Sequence, residues 1–484
     1  MDVEKLSKAK TKRPKGCSCQ SPALIVLFTL TLFLVPILFR IQSFTLAAPS
    51  GSTSWEFFKK WTAVTVDSTT NNDWSDRLDN LTAKLQESVT FLPLKDLRYA
   101  DTEAAMSGNT WFMSSLSDTA EENEAEHLYF PSQASKGRIL CIKGRDATAG
   151  SKNSYALAWP ESLPESATLL KGLTFVSDTY YDYVNLWHGL YAVAPFVGWS
   201  MRNQCLKPTR WVLFHWGELR SKMGAWAQNL MQATYGDVAV EVFGGGGGDV
   251  PYCFERAVVM RHNIGKMGEE KKLQVSEQLR CKAREVCGIN TGGKGEGVNE
   301  RGEPVVRMTL LMRRGSRSFK NASAVVNVFA RECEKVDGCA LSVVQSEDLT
   351  FCDQVRVMTH TDIVATPHGA QLTNMLFMDQ GSRVMEFFPR GWLELAGIGQ
   401  HAHRWTAELC GMIHEGAYWE PLGTKDCPNP HQDLDCFLFY KDGQVGHNET
   451  FFAEWTRTVL SQVRESKLKE AKKRLQPKTT TCVC

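Results

Sequence analysis

Residues 362–389 read DIVATPHGAQLTNMLFMDQGSRVMEFFP, and the order of their apolar runs and breaks decides the fold class. Residues 362–366 are a short β-branched run, which predicts a strand. Pro367-His368-Gly369 breaks it. Over 370–378, Leu372, Met375 and Leu376 recur at helical spacing. Gly381-Ser382 is a turn, and 384–388 is a second apolar strand. A strand, glycine turn and helix in that order leave backbone N–H groups free at the helix start. Those groups and the helix dipole suit an anionic oxygen such as a phosphate. An ordinary crossover that binds nothing has the same pattern.

The same alternation extends outward. Upstream, 305–312 and 339–344 read as strands, with helices over 324–336 and 353–359. Earlier still, 138–142, 173–176, 211–215 and 257–260 are strand-like, with helical stretches at 185–196 and 224–233. This predicts two α/β domains, the first with a largely parallel sheet. Five consecutive glycines at 244–248 lack the Lys-Ser/Thr of a phosphate loop. The run Gly292-Gly293-Lys294-Gly295-Glu296-Gly297 reads as a linker. The helical tail 454–475 has a basic end, which reads as a solvated packing helix.

Three separate blocks carry a family resemblance. The first is Pro367-His368-Gly369-Ala370, Leu372-Thr373-Asn374, Leu376-Phe377, Gly381-Ser382 and Glu386-Phe387-Phe388-Pro389. The second is Ser346-Glu347-Asp348-Leu349-Thr350-Phe351 with Gln354-Val355. The third is Arg313-Arg314-Gly315-Ser316-Arg317. In order and spacing they resemble the signature of glycosyltransferase family 61, over roughly residues 90–450 and most closely over 305–390. The resemblance implies the glycosyltransferase B type of fold, two Rossmann-like α/β domains facing a cleft. It also implies transfer of a xylose, arabinose or N-acetylglucosamine class of sugar, by single displacement with inversion.

The organisation expected is a cytosolic tail (1–22), a transmembrane signal-anchor (23–39), a stem (40–88), an acceptor-side α/β domain (89–300), a nucleotide-sugar-binding α/β domain (301–450) and a C-terminal helix and tail (451–484). Six Lys and Arg residues between Lys5 and Lys15 precede the apolar run 23–39, which favours a cytosolic N-terminus. A signal peptide cut near Leu46-Ala47-Ala48 is the rival reading. An anchor of this sense places the rest in the lumen of the Golgi or endoplasmic reticulum. Asn80, Asn321 and Asn448 head N-glycosylation sequons. Of fifteen cysteines, Cys17 and Cys19 precede the apolar run and are palmitoylation candidates. The other thirteen lack the CxxC form of a zinc site and read as disulfides, with one thiol left over or shared between chains. Cys484 could join two chains in a homodimer or close on Cys482. A net charge of +1 gives no electrostatic footprint for nucleic acid.

A sugar transferase must hold a nucleotide diphosphate, stabilise it as it leaves, and deprotonate an acceptor hydroxyl. Guanidinium forks match phosphate oxygens, so Arg313 and Arg317 are donor-site candidates, with a solvated basic turn as the plain alternative. Gly369, Ala370, Leu372 and Thr373 would supply backbone N–H groups. His368 could donate to a phosphate or hold the loop, and Asn374 could cap or orient it. Glu386 could accept from ribose hydroxyls, or pair with Arg383 or Arg390. For the base, Asn185-Leu186-Trp187-His188 resembles the family's Asn-x-x-His segment. Many members follow that histidine with His-Asp, whereas here the place reads Tyr191-Ala192-Val193. His188 is the first substitute, on its pKa near working pH, with Asp182 and Asp178 as alternatives.

No metal is required, since arginines and backbone N–H groups can neutralise the leaving group. Asp433-Leu434-Asp435 has the form of a metal-holding triplet but lies beyond the signature. The expected substrates are a UDP-sugar donor and a glycan or glycoprotein hydroxyl, with no cofactor. Two rivals stand beside this reading. One is a non-catalytic lumenal carbohydrate- or nucleotide-binding protein that kept the fold. The other is a hydrolase, although the chain has no G-x-S-x-G elbow.

Overall fold

A computed structural model describes residues 89–94, 122–144, 153–178, 184–215, 218–220, 223–243, 250–260, 264, 267–289, 297–299, 301–473 and 482–484. The expected anchor and stem, residues 244–248 and 292–296 of the glycine runs, Asn80 and Asp182 lie outside these. Among the described residues no helix is long and apolar enough to cross a membrane.

The described chain builds two sheets. The second has five strands: β10 (Val306–Met312), β11 (Cys339–Gln345), β12 (Ile363–Pro367), β13 (Arg383–Phe388) and β14 (Ile413–Tyr418). They lie in the order β11-β10-β12-β13-β14, and every pair is parallel. Alternation along the strands sorts side chains onto two faces. Leu310, Ile363, Met385 and Phe387 pack beneath α4 (Ala322–Glu334) and α8 (Glu449–Lys473). Leu311, Val364 and Val384 point the other way, into a second apolar cluster. The chain starts in the middle of this sheet, steps to β11, then returns across to β12. The switch point lies between β10 and β12, whose C-terminal ends open a crevice. The basic end of α8 is solvated at Lys469 and Lys472 as expected, whereas Lys467 turns inward, pairing with Asp362 at 2.5 Å and reaching the Val305 carbonyl.

The first sheet departs from expectation. Its nine strands are β1 (Leu92–Pro93), β2 (His127–Phe130), β3 (Ile139–Lys143), β4 (Ser154–Ala158), β5 (Thr168–Asp178), β6 (Arg210–His215), β7 (Glu218–Arg220), β8 (Ala239–Val240) and β9 (Tyr252–Met260). Only β9-β5, β5-β6 and β6-β8 pair in parallel, and all other pairs are antiparallel. Hydropathy reports that a run is a strand and not which way it runs, so the antiparallel margin was invisible.

Between the sheets lie α1 (Leu186–Arg202), α2 (Ala225–Tyr235), α3 (Glu269–Val286), α5 (Phe351–Thr359) and α6 (Ala402–Cys410). Residues of both sheets share one apolar cluster here, from Phe175, Leu190 and Trp211 to Met375, Phe377 and Leu409. Helix α3 escapes a reading by hydropathy because its buried face is chemically mixed. Val275, Leu279 and Ala283 alternate there with buried Gln278, Arg280 and Arg284.

Six disulfides and one buried free thiol, Cys410, account for the thirteen cysteines. Burial pushes the Cys410 thiol up to about 12. Cys287–Cys352 ties the two sheets' helices together. Cys484 neither bridges two chains nor closes on Cys482. It pairs with Cys205, and Cys482 pairs with Cys281, so the C-terminus is sewn onto the first half. Adjacent cysteines in a chain say nothing of which distant thiol comes near them.

Candidate functional site

Three chain segments meet at the C-terminal edge of the second sheet. Residues 313–317 follow β10, His368 and Gly369 follow β12, and Trp392 stands just past β13. The Arg313 Nη1 donates to the His368 carbonyl at 3.0 Å, which closes the switch point. An added Cβ on Gly369 would collide with the Arg313 guanidinium and the Gln371 amide, so glycine is what lets the arginine lie against the loop. Gly315 turns with φ 73°, and Arg317 itself is left-handed at φ 63°. A left-handed non-glycine residue stores strain that recurs at ligand sites. The Arg317 N–H donates to the Asp442 carbonyl at 3.3 Å, and its guanidinium lies 5.6 Å over the Trp392 ring.

Both guanidiniums are half-buried. Burial, then the charge of Arg317, lowers the pKa of Arg313, against Glu347 and Asp442. Burial lowers Arg317, against Asp442. Each stays charged. The Arg313 Nε and Arg317 Nε are buried without a hydrogen bond, although Asp442 stands 3.9 Å from the latter. The Thr373 hydroxyl, Trp392 Nε1 and His403 Nδ1 are also buried without a hydrogen-bond partner among the described residues. So many open buried polar groups, among them the N–H donors of Arg313, Arg317 and Trp392, are not the pattern of a finished core. They describe a place for a multiply charged oxyanion.

The loop itself is tighter than expected. Residues Ala370–Phe377 form a 3₁₀ helix, entered from an extended Gly369. The Leu372 N–H is not free, because it donates to the Gly369 carbonyl at 3.0 Å. The N–H groups of Gly369, Ala370 and Gln371 have no partner among the described residues. Leu372 and Thr373 are buried, so their part is in packing and, for Thr373, in its hydroxyl. Asn374 does not touch the loop opening. Its Oδ1 accepts from Trp226 Nε1 of α2 at 2.9 Å, which locks the 3₁₀ helix to the first half.

Glu386 occupies a different place from the one its sequence position suggests. It is fully buried in β13, and neither Arg383 nor Arg390 pairs with it. Its Oε1 accepts from His368 Nδ1 and its Oε2 from His414 Nε2, both at 2.6 Å. A carboxylate with both oxygens taken behind His368 does not reach a ribose. Burial pushes Glu386 up, but the hydrogen bonds from the two histidines and the nearby His403 outweigh it and hold the carboxyl at about 2. Burial drives His403 down to about 3, with Glu386 opposing, so that ring is neutral. His368 stacks on Phe388, lies tilted against Trp392 and stands edge-on to His403.

His368, Glu386 and His403 place one ligand atom each within 4.8 Å of one another, a set that can hold a metal ion. The 2.6 Å between His368 Nδ1 and Glu386 Oε1 is a hydrogen bond. Two ligands of one tetrahedral zinc, each about 2.0 Å from the ion, stand about 3.3 Å apart. The set as built is therefore a proton-linked network. Asp433 and Asp435 are exposed on α7 (Asp433–Tyr440), where Asp435 accepts from Asn429.

On the acceptor side, Asn185 is the N-cap of α1, accepting from the Trp187 N–H at 2.9 Å. His188 follows in the first turn, half-buried and edge-on to Trp187. The Trp187 Nε1 donates to Ala402 O and Thr406 Oγ1 of α6, the helix that carries His403, so α1 begins at the seam with the second half. Tyr191, Ala192 and Val193 are buried in the core. Asn321 caps α4, and the Asn448 side chain accepts from Phe451 N at the start of α8. Sequence reasoning missed Trp392, His403 and His414. A period-based reading ranks a lone His or Trp as core, and nothing local marks their convergence on His368.

The family described as Glycosyltransferase 61 matches residues 187–385. Among curated proteins, the chain is similar to Protein O-linked-mannose beta-1,4-N-acetylglucosaminyltransferase 2 of Mus musculus and of Homo sapiens. Each is 44% identical over 46 residues, which is 10% of this chain and 8% of the relative. The Canis lupus familiaris protein of that name is 30% identical over 94 residues, 19% of this chain and 16% of the relative. The matched stretches thus span less than a fifth of those relatives' length. The match over 187–385 takes in the arginine turn, the β12 loop and Asn-x-x-His from its tryptophan onward, so it is over this segment that the chain is similar to glycosyltransferase family 61.

Proposed function

We propose that the protein is a glycosyltransferase that moves a sugar from a UDP-linked donor to a hydroxyl of a glycan or glycoprotein. The observation that carries this is the cluster of half-buried arginines, free N–H groups and partnerless buried donors at the switch point of a parallel sheet. The diphosphate lies against Arg313, Arg317 and the N–H groups of Gly369 and Ala370. The two sheets act as the two halves of a glycosyltransferase B type fold, with the acceptor entering from the α1 side. In a single inverting displacement the acceptor oxygen bonds to the anomeric carbon as the bond to the diphosphate oxygen breaks. The hydroxyl proton passes to a base, with His188 first and Asp182 second. The arginines and N–H groups neutralise the leaving diphosphate without a metal. N-glycosylation at Asn80, Asn321 and Asn448 and a type II anchor in the Golgi or endoplasmic reticulum fit a chain with six disulfides.

Calorimetric titration of the purified protein with UDP, EDTA present, tests the donor site. Wild type binds, and Arg317→Ala binds about 10- to 100-fold more weakly, the loss of a charge-assisted contact. Folded wild type that takes no UDP, with or without manganese, would sink the reading. One observation favours a second reading, a lectin-like or nucleotide-binding protein without turnover: the positions after Asn-x-x-His are core residues and carry no carboxylate. UDP binding with no transfer to a broad panel of acceptors would support it.

A further inference from the structure

We propose that β11 is a dimerisation edge: the same strand of a second copy of this chain pairs with it, antiparallel, about a two-fold axis through Ser342, and joins two five-stranded sheets into one. This pairing does not depend on what the donor site binds. β11 closes one side of the second sheet, with β10 on its inner flank and α4 against one face. Its sequence is CALSVVQ, seven residues in unbroken register with β10. None of them is buried, whereas β10, β12 and β13 are buried almost throughout, and Val343 is 50% exposed. Natural edge strands are blunted by charge, proline, a bulge or short length, because an open row of backbone groups recruits another strand. β11 has none of these. The Cys333–Cys339 bridge to α4 holds its start in place.

The ladder with β10 fixes which backbone groups are open. Val306 stands opposite Cys339, and its N–H donates to the Gly338 carbonyl at 2.9 Å. In a parallel pair, alternate residues bond to the same neighbour. Ala340, Ser342 and Val344 therefore bond to β10, while Leu341, Val343 and Gln345 turn N–H and C=O outward. Among the described residues nothing meets those outward groups. The Cys339 N–H is already given to the Val336 carbonyl. A two-fold axis in an antiparallel pair sets one residue opposite its own copy. With Ser342 there, Leu341 exchanges both hydrogen bonds with Val343 of the second copy. Gln345 donates to the Cys339 carbonyl of the second copy, and the symmetric set makes about six bonds in all. The strand bears no charge, so no like charges face one another, and Leu341 of one copy covers the exposed Val343 of the other. The ends match as well. The exposed pair Arg301–Asp337 flanks the start of β11, and the exposed pair Arg314–Asp348 flanks its end. Antiparallel pairing brings the first pair of one copy beside the second pair of the other, where each carboxylate meets a second arginine.

Oxidation of cysteine variants of the full-length protein with diamide reads the register. Ser342→Cys sets two thiols at a non-hydrogen-bonded pair with Cα atoms about 4.5 Å apart, inside the range a disulfide spans, and gives a covalent dimer. Ala340→Cys lies two residues along the same face, about 14 Å from its own copy, and gives none. Without oxidant, wild type at about 50 μM sediments as a dimer, since a contact this small associates in the micromolar class. Val343→Pro removes an outward N–H and leaves the β10 ladder whole, so the chain stays folded and dimerisation weakens at least about tenfold. Val343→Lys, a charge on the open edge, has the same effect and covers the case in which the proline variant unfolds. Wild type that sediments as a monomer overturns the inference. So does the absence of cross-linking in Ser342→Cys, equal cross-linking in Ala340→Cys, or a dimer that survives in folded Val343→Lys.

Discussion

The seam between the two sheets and the loop at the switch point both bury arginines, and they treat them oppositely. At the seam, Arg280 donates to the Leu376 and Cys410 carbonyls and pairs with Glu277. Arg284 reaches Thr359, the Phe377 carbonyl and Asp379. Arg313 and Arg317 each leave a buried Nε without a hydrogen bond. A buried cation with its donors filled is a structural fastener, whereas one with donors open is held ready for an anion. The seam arginines reach only the far end of the 3₁₀ helix Ala370–Phe377, which Asn374 also ties to Trp226. They hold its last carbonyls, while its first N–H groups stay free.

Arg280→Ala should separate the two regions most sharply. It strands two buried carbonyls and a cavity, which costs on the order of 3 kcal/mol or more in chemical denaturation. UDP affinity of the folded fraction should not change. If Arg280→Ala weakened UDP binding in a fully stable protein, the division between fastener and site would fail.

Next in size is the response to acid. His403 is held at about 3 against an ordinary 6.5, so the unfolded chain binds its proton first. Stability from this group is complete above about 6.5 and drains away as the pH falls toward 3. Glu386, at about 2 against 4.5, acts in the same direction between those values. Together they should cost a few kcal/mol between pH 7 and pH 4, since a group protonated only in the unfolded chain costs about 1.4 kcal/mol for every pH step of one. His403→Asn should flatten the upper part of that slope. An unchanged slope between pH 6.5 and 5 would assign the acid sensitivity elsewhere.

Gly369→Ala should act more gently. The atoms an added methyl meets are the ends of the Arg313 and Gln371 side chains, which can move aside. Stability should change by less than about 1 kcal/mol, while UDP affinity drops several-fold as Arg313 is displaced. Equal affinity would show that the arginine's contact with the loop is incidental. The smallest effect belongs to Arg314→Ala. That residue is exposed and paired bidentately with Asp348, so neither unfolding nor UDP titration should register its loss.

Much of this was legible along the chain. Each strand of the second sheet except β14 lies within a residue or two of where its apolar run placed it; for β10, β12 and β13 this is because a parallel strand buried on both faces is written as a continuous run. Arg313, Arg317, His368 and the glycine turn stood out because each abuts the end of such a strand. The helix after Gly369 was readable as helix but not as 3₁₀, since Leu372, Met375 and Leu376 fit either spacing. Helix α3 was hidden by the arginines on its buried face. Glu386 was visible as a charged residue in an apolar strand, but its role was misplaced, because its two partners lie 18 and 28 residues away.

By itself, then, the sequence determined the alternation of strands and helices, the family blocks and the cations at the strand ends, all properties of neighbours along the chain. The tertiary structure alone decided the strand directions of the first sheet, the cysteine pairing and the encirclement of His368 by Glu386, His403 and Trp392. The physical reason is one of range. Hydropathy and turn chemistry act over a few residues, whereas hydrogen bonds, disulfides and desolvation depend on which distant segments packing brings together.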